Sequence, residues 1–322
     1  DILTDVEVLK EGAEEVKKWN KKVAKLIGIN QAARTCCVKP SGNASVILEC
    51  GSGIHGEHSN KYIRHVTFPK DSIIAQSFMK NNPDMCEKNI WASDSVLVAF
   101  PIVSPKNSIV KKDLLGVKQL EYVKLVQNSW IEAGTNKEVG VDPYIRHNVS
   151  NTITVDNWEE VTNYIYENRD SFCGVSLLAA SGDKAYAQAP FTEVLTGQEI
   201  INKYGEEVSL FTSALIEVGM KAFNNDLWGA IATALGKGEE LNESHDHLLK
   251  RDFVRRFNKF SNNFETKEEC ANCLKDTYNL HKWWRINKNF KTIDWEEELT
   301  EKTYTDIDTM GAQACAGGKC EI

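Results

Sequence analysis

The sequence predicts an α/β protein in which strands alternate with helices, followed by a helical region and a polar, turn-rich tail, and three observations carry that reading. Apolar runs of strand length occur at 95–103 (SVLVAFPIV), 148–155 (NVSNTITV) and 174–178 (GVSLL). Helical periods lie between them, a spacing that favours parallel βαβ units. After about Phe191 no strand-like run returns, and from about Thr303 the chain turns polar.

Taken in order, the first element is a helix over 6–27, where Val16, Trp19, Val23, Leu26 and Ile27 recur at helical spacing among Glu and Lys. It leads through Arg34-Thr35-Cys36-Cys37-Val38-Lys39 to a turn at Pro40-Ser41-Gly42. The strand over 95–103 precedes a helical period over 120–131. The β-branched run over 148–155 reads as a second strand, after which Asp156-Asn157 supplies the N-cap of a helix over 158–167. The third strand, at 174–178, is of the buried kind and runs into the small-residue loop AASGDKAYAQAP. Segments near 205–235, 246–260 and 266–287 read as helices, which places a boundary near 190–200.

Composition bounds the function. Of 322 residues, 42% are apolar and 26% charged, as in an ordinary globular protein with a sizeable core. A net charge of -8 argues against a nucleic-acid or anionic-membrane partner, so any phosphate must be held locally. No apolar run is long enough to span a membrane, and the charged, helical start is unlike a signal peptide; the expectation is a cytoplasmic protein. Nine scattered cysteines match no disulfide scaffold, so most are expected to be reduced, buried and inert. The chain does not begin with Met, which suggests that Asp1 is an internal point of a longer protein.

Two segments offer chemistry. In Lys39-Pro40-Ser41-Gly42-Asn43-Ala44-Ser45, Pro, Ser and Gly precede an apolar-periodic run. That pattern starts a helix, whose free N–H groups and dipole can hold an anion without net protein charge. Taken alone, the same residues read more readily as a plain N-cap than as a ligand site, and the P-loop pattern GxxxxGK[ST] is absent. At the other end, Cys315 and Cys320 flank two glycines in a segment expected to be mobile. A dithiol on such a tether can carry electrons by thiol–disulfide exchange, or the two cysteines are incidental.

Other constellations carry less. His55, Glu57 and His58 lie among glycines in GSGIHGEH, but their spacing does not fit a helix-borne zinc site, so this reads as a flexible loop lining a pocket. Cys270 and Cys273 form a lone CxxC with no second ligand pair, so they read as helix packing, and the vicinal Cys36 and Cys37 read as core. No metal is expected.

The pieces VKPSGNASVILECGSGIH, KYIRHVTF, HNVSNTITV, GVSLLAASGDKAYAQAP and GAQACAGGKCEI together resemble the adenosylcobalamin-dependent (class II) ribonucleotide reductases, of the monomeric ribonucleoside-triphosphate reductase type. The resemblance is specific over 35–190 and again from 304 to 322, and weak between. It implies that Ser41, Gly42, Asn43, Ala44 and Ser45 bind the phosphates of a ribonucleotide substrate. It also implies that Cys315 and Cys320 reduce an active-site disulfide and are re-reduced by a thioredoxin-like protein. No Tyr-Tyr pair is present, as the iron-dependent class would require, and the chain ends in a cysteine pair rather than a glycyl-radical segment.

None of the seven prolines is followed by cysteine, so the family's radical-bearing Asn-Pro-Cys-Gly-Glu element is not in this sequence. The resemblance therefore implies a C-terminal portion: residues 1–190 as part of a ten-stranded α/β barrel, 191–302 as a helical extension and 303–322 as a mobile redox tail. The partners would be the missing N-terminal part and the reductant, the cofactor of the complete enzyme would be adenosylcobalamin, and the portion alone would be inactive. Two further readings stand beside it: a stand-alone thiol–disulfide or phosphate-binding module, and a helical interaction protein suggested by Trp283-Trp284.

Overall fold

The structure, a computed structural model, describes residues 4–41, 44–45, 48, 50–180 and 188–298. They form two compact units that do not follow sequence order: one takes in residues up to 60 and 104–180, the other residues 61–103 and 188–298.

In the first unit, α1 (Val6–Ile27) begins where Asp5 accepts hydrogen bonds from the Glu7 and Val8 N–H groups, and ends at Gly28, whose φ of 75° suits glycine. Helix α2 (Val117–Val126) continues into a π-helical turn at Gln127–Ile131. Strand β1 (Ile153–Val155), helix α3 (Trp158–Glu167) and strand β2 (Leu177–Ala179) then make a parallel βαβ unit, with Ile153 opposite Leu177 and Val155 opposite Ala179. Leu120, Val123, Ile131, Val149, Ile153 and Val161 form its core, and Val38 and Ile54 pack against them.

The second unit holds an antiparallel sheet. Strands β3 (Lys61–Pro69) and β4 (Ser95–Val103) pair over their full length, with β5 (Cys86–Lys88) beside β4 and β6 (Phe191–Glu193) beside β3. Helix α4 (Ile73–Asn81) follows β3. Then come α5 (Gly197–Tyr204), started by a Thr196–Glu199 capping box, α6 (Glu206–Ala222), α7 (Leu227–Ala234), α8 (Leu248–Phe260), α9 (Lys267–Asn289) and the short α10 (Trp295–Glu298). Helix α9 joins both cores of this unit: Leu274 packs with Phe253 and Phe257 of the helices, Trp283 and Ile286 with Ile63 and Val98 of the sheet.

The mixed helix-and-sheet class holds, as do the helices over 6–27, 120–131 and 158–167 and those after 205. Several expectations change. Six strands are present among the described residues where three were read, in a four-stranded and a two-stranded sheet. The run over 95–103 is a strand but pairs antiparallel. The strand expected over 148–155 shrinks to 153–155, because its first half bonds to loops: the Val38 N–H donates to Asn148 O, and the Val149 N–H donates to the Gln127 side chain. The one expected over 174–178 lies at Leu177–Ala179 and is not buried, with Leu177 37% and Leu178 39% exposed. A short strand at Phe191–Glu193 opens the region expected to hold none, and Lys61–Pro69 was read only as a motif. Cys36 is core but its neighbour Cys37 is exposed, as are Cys50 and Cys173.

Candidate active site

The Pro40 turn is held in the first unit from two sides. On one, the Val38 N–H donates to Asn148 O at 3.4 Å and the Ser150 N–H donates to Val38 O at 2.9 Å, which clips the turn to the segment entering β1. On the other lies the glycine-rich loop. Gly53 has φ 63°, and a Cβ there would stand 2.9 Å from Lys39 O, so only glycine lets the loop approach the turn this closely. After Ser41 the chain makes a helical turn: the Ala44 N–H donates to Ser41 O (3.1 Å), and the Leu48 N–H donates to Ala44 O (2.9 Å). Ser45 is buried, while Ser41 and Ala44 are exposed. Gly42 and Asn43 lie outside the described residues.

His55 fastens the same loop to the sheet. The Thr152 N–H donates to its Nε2 at 3.0 Å, which places the ring hydrogen on Nδ1, 3.0 Å from Ser52 O. Both ring nitrogens are thereby used, leaving no lone pair for a metal. Glu57 exchanges main-chain hydrogen bonds with 109–111: its N–H donates to Ile109 O and its O accepts from the Lys111 N–H. His58 is removed from water, and this, reinforced by the charge of Lys111, pushes its pKa down to about 4. No group of three His, Cys, Asp or Glu able to hold a metal exists among the described residues.

Beneath the loop are two residues that the sequence reading passed over. Asn151, buried, donates from Nδ2 to Val149 O (2.8 Å) and Gly174 O (3.0 Å) and accepts from the Ser176 N–H, tying the entries of β1 and β2 together. Gln127 donates to His147 O and accepts from the Val149 N–H. The signal for both was an amide side chain inside an apolar run. What results is a turn fixed on a braced base, with Ser41 and Ala44 exposed and Ser45 buried. The structure gathers Ser41, Ala44 and Ser45; Cys315 and Cys320 lie outside the described residues.

The second unit holds a separate buried cluster. Lys282, 7% exposed, contacts Glu87 Oε1 and lies 3.2 Å from His65 Nε2, while His65 Nδ1 is 2.6 Å from Ala189 O. Burial, then the charge of Lys282, lowers the His65 pKa to about 4. Burial alone would raise the Glu87 carboxyl, but Lys282 outweighs it and the net shift is downward.

No family model matches the chain. Its likeness is to the ribonucleotide reductases that depend on cobalamin. In particular, over 210 residues, 65% of its length, it is 23% identical to the adenosylcobalamin-dependent ribonucleoside-triphosphate reductase of Euglena gracilis, 27% of which the match covers. Among solved structures, a B12-dependent (class II) ribonucleotide reductase matches 60% of this chain and 26% of its own, at 19% identity and a TM-score of 0.49. The chain thus spans about a quarter of the length of these relatives.

Proposed function

We propose that this chain is part of a ribonucleotide reductase that converts ribonucleotides to 2'-deoxyribonucleotides by thiyl-radical chemistry, contributing the substrate's phosphate loop and the reducing cysteines. The observation that carries the reading is the sequence match to the Euglena gracilis reductase. In support, the Pro40 turn has the build of an anion seat, with the loop of Gly53 and His55 bracing it. On this reading Ser41, Gly42, Asn43, Ala44 and Ser45 hold the phosphate oxygens locally at a helix start, which a chain of net charge -8 cannot do by bulk charge.

Residues 1–190 would contribute to the barrel, 191–302 the helical extension and 303–322 the redox tail. The β1–β2 pair agrees with that role: it has three rungs and no further strand among the described residues, and two isolated strands are marginal by themselves. Each turnover replaces the ribose 2'-hydroxyl by hydrogen and releases it as water, and two active-site thiols are oxidised to a disulfide. The thiols of Cys315 and Cys320 then pass two electrons and two protons to that disulfide and become a disulfide themselves, which a thioredoxin-like protein reduces.

Adenosylcobalamin would generate the radical in the complete enzyme. Two concavities among the described residues offer it no ligand. A trough of about 550 Å³ along α1 is lined by Gly12, Glu15, Val16, Trp19, Asn20 and Val23, an open apolar surface without imidazole or thiol. A second concavity, about 420 Å³, is lined by residues of 81–85 and 288–291 and is likewise without either as a cobalt ligand. No helix among the described residues is long and apolar enough to cross a membrane.

The test is reconstitution: this chain, an N-terminal part bearing Asn-Pro-Cys-Gly-Glu, adenosylcobalamin, a ribonucleoside triphosphate and a dithiol should yield deoxyribonucleotide. Replacing Cys315 and Cys320 by Ser should abolish turnover with a thioredoxin-like reductant. A soluble complex that forms no product overturns the reading.

A further inference from the structure

The chain that leads into the tail does not leave α9 freely. Three contacts hold it antiparallel along α4 and the corner that follows. The Asn289 side chain donates to Asp84 Oδ2 at 2.7 Å. Next, Asn82 pairs with the backbone of Lys291 in both directions, Nδ2 donating to Lys291 O (3.0 Å) and Oδ1 accepting from the Lys291 N–H (2.7 Å). Last, Ser77 Oγ donates to Glu298 Oε2 at 2.8 Å, with Lys80 4.0 Å from the same carboxylate.

The two sides of this clamp differ in character. Asn82 and Ser77 are buried, whereas most of 290–298 is exposed and contributes little apolar burial. A segment attached by hydrogen bonds rather than by a core is one that can be fixed or released at small free-energy change. The Asn82 amide in effect extends the chain of α4's end as a main-chain partner for Lys291.

We propose that Asn82 and Ser77 are positioning residues for the reducing tail: they fix its root at Glu298 and so set the length of tether that carries the cysteines. The proposal rests on the reading of Cys315 and Cys320 given above. From Glu298 to Cys315 is 17 residues, and from Phe290 it would be 25. The effective concentration of a tethered group falls roughly as the -3/2 power of tether length, so undoing the clamp should lower delivery by about twofold.

Two measurements test this with Asn82→Ala and Ser77→Ala, made separately, because the first also removes bonds at a buried position, and together. In limited trypsin digestion of the whole chain, cleavage after Lys291 should rise at least about tenfold in Asn82→Ala, as expected when a held segment opens. In the reconstituted reductase, turnover with a thioredoxin-like reductant should fall about twofold in the double variant, which releases both holds, relative to turnover with a small dithiol that reaches the active-site disulfide without the tail. A merely structural role would lower both turnovers equally, and that result overturns the proposal, as does unchanged protection of Lys291. If the wild-type enzyme reduces ribonucleotides with thioredoxin equally well without Cys315 and Cys320, the tail reading itself fails and the positioning role falls with it, while digestion still reports whether the clamp exists.

Discussion

The Thr152 N–H donates to His55 Nε2 across 97 residues of sequence, and it is this bond that ties the glycine-rich loop beside the Pro40 turn to the residue that precedes β1. Removing the ring should loosen the base of the Pro40 turn rather than unfold the unit. We expect His55→Ala to lower stability by about 1 kcal/mol, the ordinary net worth of one hydrogen bond at a partly exposed site. Urea unfolding would measure that loss, and triphosphate binding by the reconstituted enzyme should weaken alongside it.

Gly53 supplies a sharper probe. With φ at 63° and a Cβ-to-Lys39 O distance of 2.9 Å, Gly53→Ala must strain its own backbone and push the Pro40 turn outward. The expected loss is about 1–3 kcal/mol. Gly174→Ala, where a Cβ would meet nothing within 4 Å, is the control and should be nearly neutral. Equal effects of the two substitutions would remove the packing argument.

Stability should also depend on pH through His65. Its pKa is lowered to about 4 in the folded chain, so between about pH 6.5 and 4 the unfolded chain binds the proton that the folded chain refuses. Stability is therefore full above about pH 6.5 and declines as pH falls through that window, by up to about 3 kcal/mol. Glu87, shifted downward by Lys282, adds a loss of the same sign at lower pH. Guanidinium unfolding at pH 7 and pH 4.5 should show the difference, and His65→Gln should flatten most of it.

Cysteine reactivity should divide by burial. Cys270 and Cys273 are fully buried with pKa values pushed up to about 12, chiefly by desolvation, so native protein should leave them unalkylated. Cys37, Cys50 and Cys173 are exposed. At pH 8 they should react faster by on the order of a hundredfold or more, which mass spectrometry of an iodoacetamide time course would resolve.

How much of this was legible in the sequence depends on the range of the forces involved. Most helices were, because their signals are local: the apolar period of α1 and the Asn157 cap before α3; α4 and α5 were not read. Strand β3 was not. Its Lys61 and Arg64 break the apolar alternation, and what accommodates them is tertiary: Lys61 stands 4.4 Å over the Trp283 ring and Arg64 5.4 Å over Phe191. The asparagines of 148–151 looked compatible with a strand, yet they serve loops that no local pattern announces. At the candidate site both the Pro40 turn and the histidine loop stood out as sequence features. That Gly53 joins them, and that Asn151 and Gln127 brace them from below, depends on long-range packing.

The βαβ ribbon of the first unit has a consequence for how such a protein must be made. Its two strands share three rungs, and among the described residues their outer rims bond to no third strand. Rims of that kind are templates: they welcome a complementary strand and, in its absence, any other, including those of identical molecules. Synthesised alone, the chain should be prone to edge-to-edge aggregation, and on the function proposed above its solubility should improve when the N-terminal part is supplied at the same time.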